Sequence, residues 1–361
     1  MNGLLLVAQR EVRTRIRTKS FLISLAISAI LVAGLAFAPK VFGGDDTFDV
    51  GVVGAAPAAV SQVHFTKYPD EAAVRKAVTG GDVDAALIGD RRVLADGELD
   101  QRLGLILDSA HREAQIKAAG LTITPLQVES IGADARYQGV RTGIATLLVF
   151  VLFFLLIYSA MYVAMGVVEE KGSRIVEILL TSVRPWQLLG GKILGLGSLG
   201  LINLVAIIAA GLSASFASGF AADLPPGMGG IVVSTVVWFL LGYAFFSALA
   251  AAFGSLVSRQ EELNSVLTPM NTLMMLTYVV AYLAAGEPTG TLARVLSLIP
   301  PFSSMVMPVR TAASDVPLVE IGLAAALMVV AVVAVLLFGA RVYERAVLRT
   351  GARVKLGDVV R

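Results

Sequence analysis

The charged side chains best placed to act together follow a long apolar run. Glu170, Arg174 and Glu177 are four and three residues apart, so a helix through them would carry all three on one face. Opposite charges at these spacings can pair with one another or with a facing surface. A proline disfavours helical geometry in the residue before it. Pro185 therefore predicts that this helix ends near Arg184 and that a new helix then begins.

The other side of the predicted helix is apolar, with Ile175, Ile178 and Leu179 along it. This amphipathic pattern has two interpretations. The helix can dock against another protein through its charged face. It can also lie on anionic lipid, with Lys171 and Lys192 among the headgroups. The residues alone leave both interpretations open.

The composition indicates an integral membrane protein. Of 361 residues, 56% are hydrophobic and 16% are charged, whereas about 25% of the residues of soluble proteins are charged. A net charge of +2 argues against a nucleic-acid partner. The chain has no cysteine, and neither His64 nor His111 has metal-ligand spacing around it. We therefore expect no metal site and no catalytic residue.

Six segments are long and apolar enough to cross a bilayer, which takes roughly 20 residues of helix. As delimited, none holds an ionisable residue in its interior, so a proton-driven transporter is not expected and the energy would come from elsewhere. The predicted fold class is a polytopic α-helical membrane protein with six transmembrane helices. The segments are Phe21–Ala38, Gly143–Val168, Ile193–Phe216, Ile231–Val257, Leu263–Ala285 and Ile321–Ala340.

Both ends of the chain are rich in Lys and Arg, and an excess of these residues marks the cytoplasmic side of a membrane. We therefore predict that both termini are cytoplasmic, in a bacterial or archaeal cell (inner) membrane. An amphipathic helix is expected over residues 1–19, a first transmembrane helix over 20–39, helices two to six over 142–340, and a basic tail over 341–361.

Residues 40–141 differ in character from the rest and predict an extracytoplasmic α+β domain between the first and second spans. Stretches rich in β-branched residues predict strands, and charged stretches between them predict helices that end at glycine. The domain either binds a ligand or partner, or only caps the outer mouth of the membrane part. The segments concerned are TFDVGVVG, DEAAVRKAVTGG, DVDAALIGD, RRVLADGELD and DSAHREAQIKAAG.

Two glycine-rich stretches resemble nucleotide-binding motifs without their required context. Gly195–Gly200 reads G-x-G-x-x-G, but it lies inside a predicted span and no strand precedes it. Gly190–Ile193 lacks the first glycine and the final Ser or Thr of a P-loop. No ATP site is expected in this chain. Instead, we expect Gly191, Gly195 and Gly200 to let helices approach closely.

Polar side chains recur near one face of the fifth segment. Polar atoms in lipid need partners, so this face either hydrogen-bonds to neighbouring helices or lines a translocation pathway. The side chains are Asn264, Thr268, Asn271 and Tyr278.

Prolines interrupt the chain before the last segment. Pro300, Pro301 and Pro308 each disfavour a continuous helix, because proline lacks the N–H and its ring clashes with the preceding turn. We therefore predict a broken or re-entrant segment over 291–310 on the outer side, ending at Arg310.

Two stretches carry a resemblance to a known family. EEKGSRIVEILLTSVRPWQLLGGKILG, residues 169–195, resembles the hallmark segment of ABC transporter permeases of the type-2 exporter superfamily. LIPPFSSMVMPVR, residues 298–310, and the external domain are similar to the sodium-export (NatB-like) permease subgroup. The resemblance implies that residues 169–184 form a coupling helix against an ATPase. The coupling residues that it implies are Glu169, Glu170, Lys171, Gly172, Arg174, Glu177, Arg184 and Pro185.

The resemblance also implies the partners. This chain would be a permease subunit without enzyme activity, paired with a second permease subunit, identical or different, in membrane lipid. A separate cytoplasmic ATPase would bind ATP and Mg and drive export of a cargo such as Na⁺, a drug, a peptide or a lipid. Two alternatives stay open: a membrane-anchored sensor with the outer domain as its receptor, or an assembly scaffold.

Overall fold

The structure of the protein is a computed structural model, and it divides the chain into two compact units. One unit is formed by residues 37–129, and the other by residues 1–36 together with 130–361. Each is described separately below. The residues that the structure describes are 3–42, 47–54, 62–89, 92–97, 99–119, 137–172, 184–219 and 224–346.

The chain begins with two helices that meet at a sharp bend. Helix α1 spans Gly3–Arg15 and α2 spans Lys19–Phe42. The axes of α1 and of the first part of α2 differ by 75°. The backbone N–H of Phe21 donates to the Thr18 hydroxyl at 3.3 Å, as at a helix N-cap, so the start of α2 is set locally.

The smaller unit is a four-stranded sheet with helices on both faces. Strand β1 is parallel to both β2 and β3, and β4 pairs antiparallel with β3, in the order β2-β1-β3-β4. Helix α3 packs on one face through Val74, and α4 packs on the other through Leu103. The elements are β1 Phe48–Val53, β2 Val63–Lys67, α3 Glu71–Gly80, β3 Ala85–Ile88, β4 Arg92–Leu94 and α4 Gln101–Ala118.

Local signals in this unit agree with its elements. Asp70 accepts the Ala73 N–H as the N-cap of α3, and Gly81 ends α3 in the left-handed region at φ 77°. Hydrogen bonds from Arg75 and Arg92 hold the pKa of the exposed Glu71 carboxyl below its usual range. Strand β2 was not predicted, because its sequence VHFTK mixes charged and apolar residues.

Where it is described, the larger unit continues with seven further helices, and its interior is mostly apolar. A 3₁₀ turn, Gln260–Glu262, precedes the fourth of them. The helices are α5 Gln138–Gly172, α6 Pro185–Ser218, α7 Met228–Gly254, α8 Leu263–Gly286, α9 Thr291–Leu296, α10 Ser303–Ala313 and α11 Leu318–Ala346.

Among the described residues, five helices are long and apolar enough to cross a membrane, namely α5, α6, α7, α8 and α11. The number rises to six if the bent pair of α1 and α2 counts as one span. The predicted count of six therefore depends on how that pair is placed. Helices this apolar on all sides belong either in lipid or in a large protein core.

Helix α7 lies at the centre of the larger unit, where Trp238, Phe239 and Phe246 are fully buried. Small residues let its neighbours come close: a Cβ on Gly254 would lie 3.1 Å from the backbone oxygen of Ala164 in α5. Helix α11, in contrast, has most of its surface exposed. Its outer face is apolar, as contact with lipid requires.

The short helix α10 is buried among α5, α7, α8 and α11. The expectation that Pro308 interrupts a helix was wrong, because Pro308 lies inside α10. The surrounding packing buries nearly every residue of α10 and offsets the cost of the one hydrogen bond that proline removes. The break instead lies between α9 and α10, where Pro300 and Pro301 are.

Candidate functional site

Lys192 is the centre of a buried charge cluster where α5 ends and α6 begins. Its ammonium group lies 3.1 Å from a carboxylate oxygen of Glu11 and 3.2 Å from one of Glu170. Only 1% of Lys192 is exposed, and Glu11 and Glu170 are buried as well. The three side chains come from α6, α1 and α5, so this cluster ties those helices together.

Two arginines complete the cluster. Arg15 Nε lies 3.3 Å from Glu11, and an Arg10 Nη1 atom lies 3.8 Å from Glu170. The Arg15 guanidinium also lies 5.5 Å from the centre of the Tyr162 ring, within cation–π distance. Buried charges are tolerated only when paired in this way, because removal from water is otherwise costly.

Close contact between α1 and α6 brings Glu11 to Lys192. A Cβ on Gly191 would lie 2.7 Å from the backbone oxygen of Leu4, and one on Gly195 would lie 2.8 Å from that of Ala8. Both distances are too short for any side chain, so glycine is required at both positions. Helix α1 therefore packs directly on the backbone of α6.

The last turn of α5 is also fixed to α7 and to the turn before α8. Lys171 is buried, and its ammonium donates to the backbone oxygen of Ser255 at 2.6 Å. The Gln260 amide donates to Glu169 at 3.1 Å. A Cβ on Gly172 would lie 3.2 Å from the backbone oxygen of Ser258. Every described residue of this turn therefore contacts another element.

The first residues of the predicted coupling helix belong to another helix. Residues 169–172 form the end of α5 and not the start of a new helix, because no proline lies in α5 and Glu and Lys favour helix. Arg174 and Glu177 lie outside the described residues. Helix α6 begins at Pro185, and Arg184 before it has the extended geometry (φ −72°, ψ 147°) that a residue preceding proline favours.

At this end, α5 and α6 extend beyond the predicted apolar segments, which stop at Val168 and resume at Ile193. Glu170 and Lys192 belong to α5 and α6, both of which count as candidate spans, and they are buried between helices. A hydropathy window stops at the first charged residue, whereas helical hydrogen bonding continues through it. The charges pair with one another and do not need lipid or water.

The predicted pathway residues of α8 are at the surface of the subunit. Asn264 and Thr268 are exposed, and Tyr278 is half-buried against Phe153, with ring centres 4.7 Å apart. Asn271 is half-buried, and its side-chain oxygen has no hydrogen-bond partner in the part of the chain that is described. The part of this face that carries Asn264 and Thr268 points away from the interior of the larger unit, whereas the Asn271 oxygen and Tyr278 are covered by neighbouring side chains.

Arg310, the last residue of the predicted broken segment, joins three parts of the larger unit. It is 2% exposed, and its guanidinium donates to the backbone oxygen of Pro288 at 3.0 Å and to the Ser297 hydroxyl at 2.6 Å. A third bond, 3.0 Å long, reaches Glu320 at the start of α11. Arg310 therefore fixes α10 to the segments before and after it.

The sequence predictions missed Glu11, and one of the two interpretations left open placed Lys192 in the headgroup layer. One sequence signal could have identified Glu11: it lies four residues after Val7, on the face of α1 that carries Leu4 and Ala8, where a helix at a lipid surface would have an apolar residue. No local signal connects Glu11 with Lys192, because 181 residues separate them.

Comparisons with known proteins agree with the membrane architecture. A family described as "ABC-2 family transporter protein" matches residues 19–341. The chain is similar to the uncharacterized protein YhaP of Bacillus subtilis (strain 168), with 34% identity over 197 residues. That match covers 52% of this chain and 47% of the Bacillus protein, so the chain spans about half of that relative.

A second relative, the uncharacterized protein MJ1024 of Methanocaldococcus jannaschii, is 22% identical over 394 residues, which cover 99% of this chain and 96% of the relative. The family match itself extends over most of the chain, from α2 into α11. The chain therefore belongs to the ABC-2 family of transporter permeases, which are multi-pass membrane proteins.

Proposed function

We propose that this chain is the permease subunit of an ATP-driven exporter, and that a separate cytoplasmic ATPase acts on it through residues 173–183. The observation that carries this proposal is the buried Glu170–Lys192 ion pair, 3.2 Å long, in the last described turn of α5. That turn directly precedes the segment on which the ATPase would act.

The contacts of this turn support a mechanical role. Glu170 is paired with Lys192 at the start of α6, and Lys192 is paired with Glu11 in α1. Lys171 is hydrogen-bonded to the end of α7. A displacement of the segment between α5 and α6 would therefore move α1, α5, α6 and α7 together. Packed helices transmit such a displacement because a close-packed interior has little room to deform.

A second permease subunit, identical or different, would complete the pathway. The polar face of α8, with Asn264 and Thr268, is exposed on the single subunit. The Thr268 hydroxyl is satisfied by the Asn264 backbone oxygen at 3.1 Å, but an exposed amide such as that of Asn264 is unfavourable against lipid tails. This face therefore needs either another subunit or a water-filled passage beside it. We assign the translocation pathway to the space between the α8 faces of two subunits.

The orientation follows from the basic residues at both ends. We assign both termini to the cytoplasm of a bacterial or archaeal cell, and the α/β unit to the outside. Residues 298–310 and the domain between the first two spans favour the sodium-export subgroup by resemblance. The proposed direction of transport, export, also rests on this resemblance.

A cysteine at position 177 tests the central claim, since the natural chain has no cysteine. In native membranes, a short cross-linker from this position should capture a protein with an ATP-binding cassette. A cysteine at Ser198, exposed on α6, is the control and should capture no ATPase. If position 177 captures only lipid, the segment lies on the membrane surface and the proposed coupling is wrong.

Charge substitutions at the same position measure the coupling itself. Glu177→Ala keeps helix propensity high, and Glu177→Lys turns attraction into repulsion. Both variants should insert into the membrane normally. We expect ATPase association, or its stimulation by the permease, to fall about tenfold or more, which corresponds to about 1.4 kcal/mol, with the larger effect from lysine. Undiminished association in both variants would contradict the proposal.

A further inference from the structure

The connection between α7 and α8, residues 255–262, is the part of the larger unit that the last turn of α5 contacts most directly. Glu169 and Lys171 are hydrogen-bonded to it, and Gly172 packs on its backbone. Residues 173–183, on which the ATPase would act, follow Gly172 at once in the chain. A displacement of that segment therefore reaches this connection through the residues next to it.

This connection is held together by its own hydrogen bonds. The backbone N–H of Val257 donates to Gly254 at 3.3 Å, and that of Glu262 donates to Arg259 at 3.2 Å. Val257 is fully buried, and Leu256 is buried as well. A short connection with internal bonds and packed side chains has little room to deform. A movement imposed at its beginning is therefore passed on to its end, where α8 starts.

Lys171 is the contact in this group that packing alone does not explain. It is 1% exposed, and its ammonium group is bonded to a neutral backbone oxygen, that of Ser255, and not to a carboxylate. The C-terminal end of α7 attracts a cation, but burial of an ammonium group beside a neutral partner is still costly. A methionine would fill the same space without that cost. The lysine instead provides a directional bond between α5 and the end of α7.

The first turns of α8 are the part that such a movement would reach. Pro269 lies inside α8. Because proline has no N–H, the helical bond to the Ser265 backbone oxygen cannot form, and the proline ring crowds that oxygen. Residues 263–268 are therefore joined less stiffly to the remainder of α8. Asn264 and Thr268, on the face that we assign to the pathway, both lie in this short part.

From these contacts we infer that Lys171 is a positioning residue for transport. Its bond to Ser255 passes a displacement of residues 173–183 to the first turns of α8, and these turns open or close the pathway at Asn264. Lys171 acts inward and does not contact the ATPase, because its side chain is buried against α7. The inference rests on the proposed export function and assigns the route by which the ATPase acts on the pathway.

The test follows the movement of α8 itself and needs no knowledge of the cargo. The chain has no natural cysteine, so Ser265→Cys, at an exposed position before Pro269, reports on a single site. The rate of its reaction with N-ethylmaleimide is measured in native-membrane vesicles, without nucleotide and with ATP and vanadate. We expect the rate to change roughly threefold or more, because nucleotide shifts the population of α8 positions. Leu276→Cys, exposed beyond Pro269, is the matched reporter and should not respond.

Substitutions of Lys171 are then combined with the Ser265→Cys reporter. Lys171→Met removes the donor and should abolish the response to nucleotide, whereas the ATPase should still co-purify with the permease. Lys171→Arg keeps a cation and its donors and should retain most of the response. Lys19→Met, at an exposed lysine, is the control and should respond as the natural protein does. A lysine with only a structural role would not separate ATPase association from the movement of α8.

Gln260→Ala covers the case in which Lys171→Met does not fold. It removes the neighbouring bond to Glu169 from an exposed position, and we expect it to weaken the response. A full response in Lys171→Met, or in Gln260→Ala if the former does not fold, would overturn the inference. An equal response at Leu276→Cys would overturn it too. Co-purification of the ATPase without any response at Ser265→Cys would overturn this inference alone, whereas failure to co-purify would overturn the coupling proposal and this inference with it.

Discussion

Lys192 and Glu170 form a buried ion pair, 3.2 Å long, that joins the first turns of α6 to the last turn of α5. The segment between these helices is the one for which sequence resemblance implies contact with an ATPase. The pair therefore lies where a force applied from outside would first reach the packed helices. Its energetics can be measured separately from transport.

Lys192→Met should strongly destabilise the permease. It leaves Glu11 and Glu170 buried without their shared cation, and breaking a buried pair in this way costs roughly 3–5 kcal/mol. The free energy of unfolding can be measured by titration with SDS. Lys19→Met, at an exposed lysine, should change it by less than about 0.5 kcal/mol. Adding Glu11→Gln to Lys192→Met should restore part of the lost free energy of unfolding. If Lys192→Met and Lys19→Met had equal effects, the cluster would not stabilise the fold.

Gly195→Ala should weaken the contact between α1 and α6. The added Cβ would lie 2.8 Å from the backbone oxygen of Ala8, so α1 must move outward, at a cost of roughly 1–3 kcal/mol. Gly322→Ala in α11 is the matched control, because nothing lies within 4 Å of its Cβ position. There, alanine should stabilise the helix by up to about 1 kcal/mol. The thermal unfolding temperatures show whether each substitution stabilises or destabilises the permease. A higher unfolding temperature for Gly195→Ala would refute the close packing.

Arg310→Met should release α10 from its neighbours. Ser297, Glu320 and the Pro288 backbone oxygen lose their donor, and we expect a loss of roughly 3 kcal/mol together with reduced transport. Glu320→Gln should be milder, because the Glu320 side chain is 33% exposed and water can replace part of the bond. Arg310→Lys should resemble Met more than Arg, since one ammonium group cannot reproduce the planar fork. If all three variants were as stable as the natural protein, this role for Arg310 would be excluded.

The double substitution Asn264→Leu with Asn271→Leu should reduce transport without harming the fold. Both residues lie on the α8 face that we assign to the pathway, and leucine suits a helix in lipid. Met275→Leu, on the same exposed face, is the control and should transport normally. Transport rates in vesicles that contain the ATPase give the comparison. Unchanged rates in the double variant would assign this face to lipid contact alone.

Single cysteines can establish which side of the membrane each unit faces. Asp96 in the α/β unit and Glu261 in the turn before α8 are both exposed, so either can be replaced without disturbing a core. In intact cells, an impermeant thiol reagent should label Asp96→Cys and not Glu261→Cys. Opening of the membrane should make both reactive. The reverse pattern would invert the proposed topology.

Local signals in the sequence were sufficient for the class of protein and for several element boundaries. Apolar length identifies the long helices, Pro185 marks the start of α6, and Asp70 and Gly81 mark the two ends of α3. Each of these depends on residues within a few positions along the chain, where backbone geometry and hydrogen bonding are decided. One error has the opposite cause: Pro308 lies inside a helix, because distant packing outweighed the local preference.

The buried site depended on tertiary structure. In the sequence, three charged residues flank apolar segments, namely Glu11, Glu170 and Lys192. Each of them, taken alone, would suit water or lipid headgroups. Their burial requires that α1 pack on the glycines of α6 and that α5 extend past its apolar stretch. The outward direction of the Asn264 face was decided in the same way. A charge can be buried only where a partner meets it, and that meeting depends on helix faces brought together from distant parts of the chain.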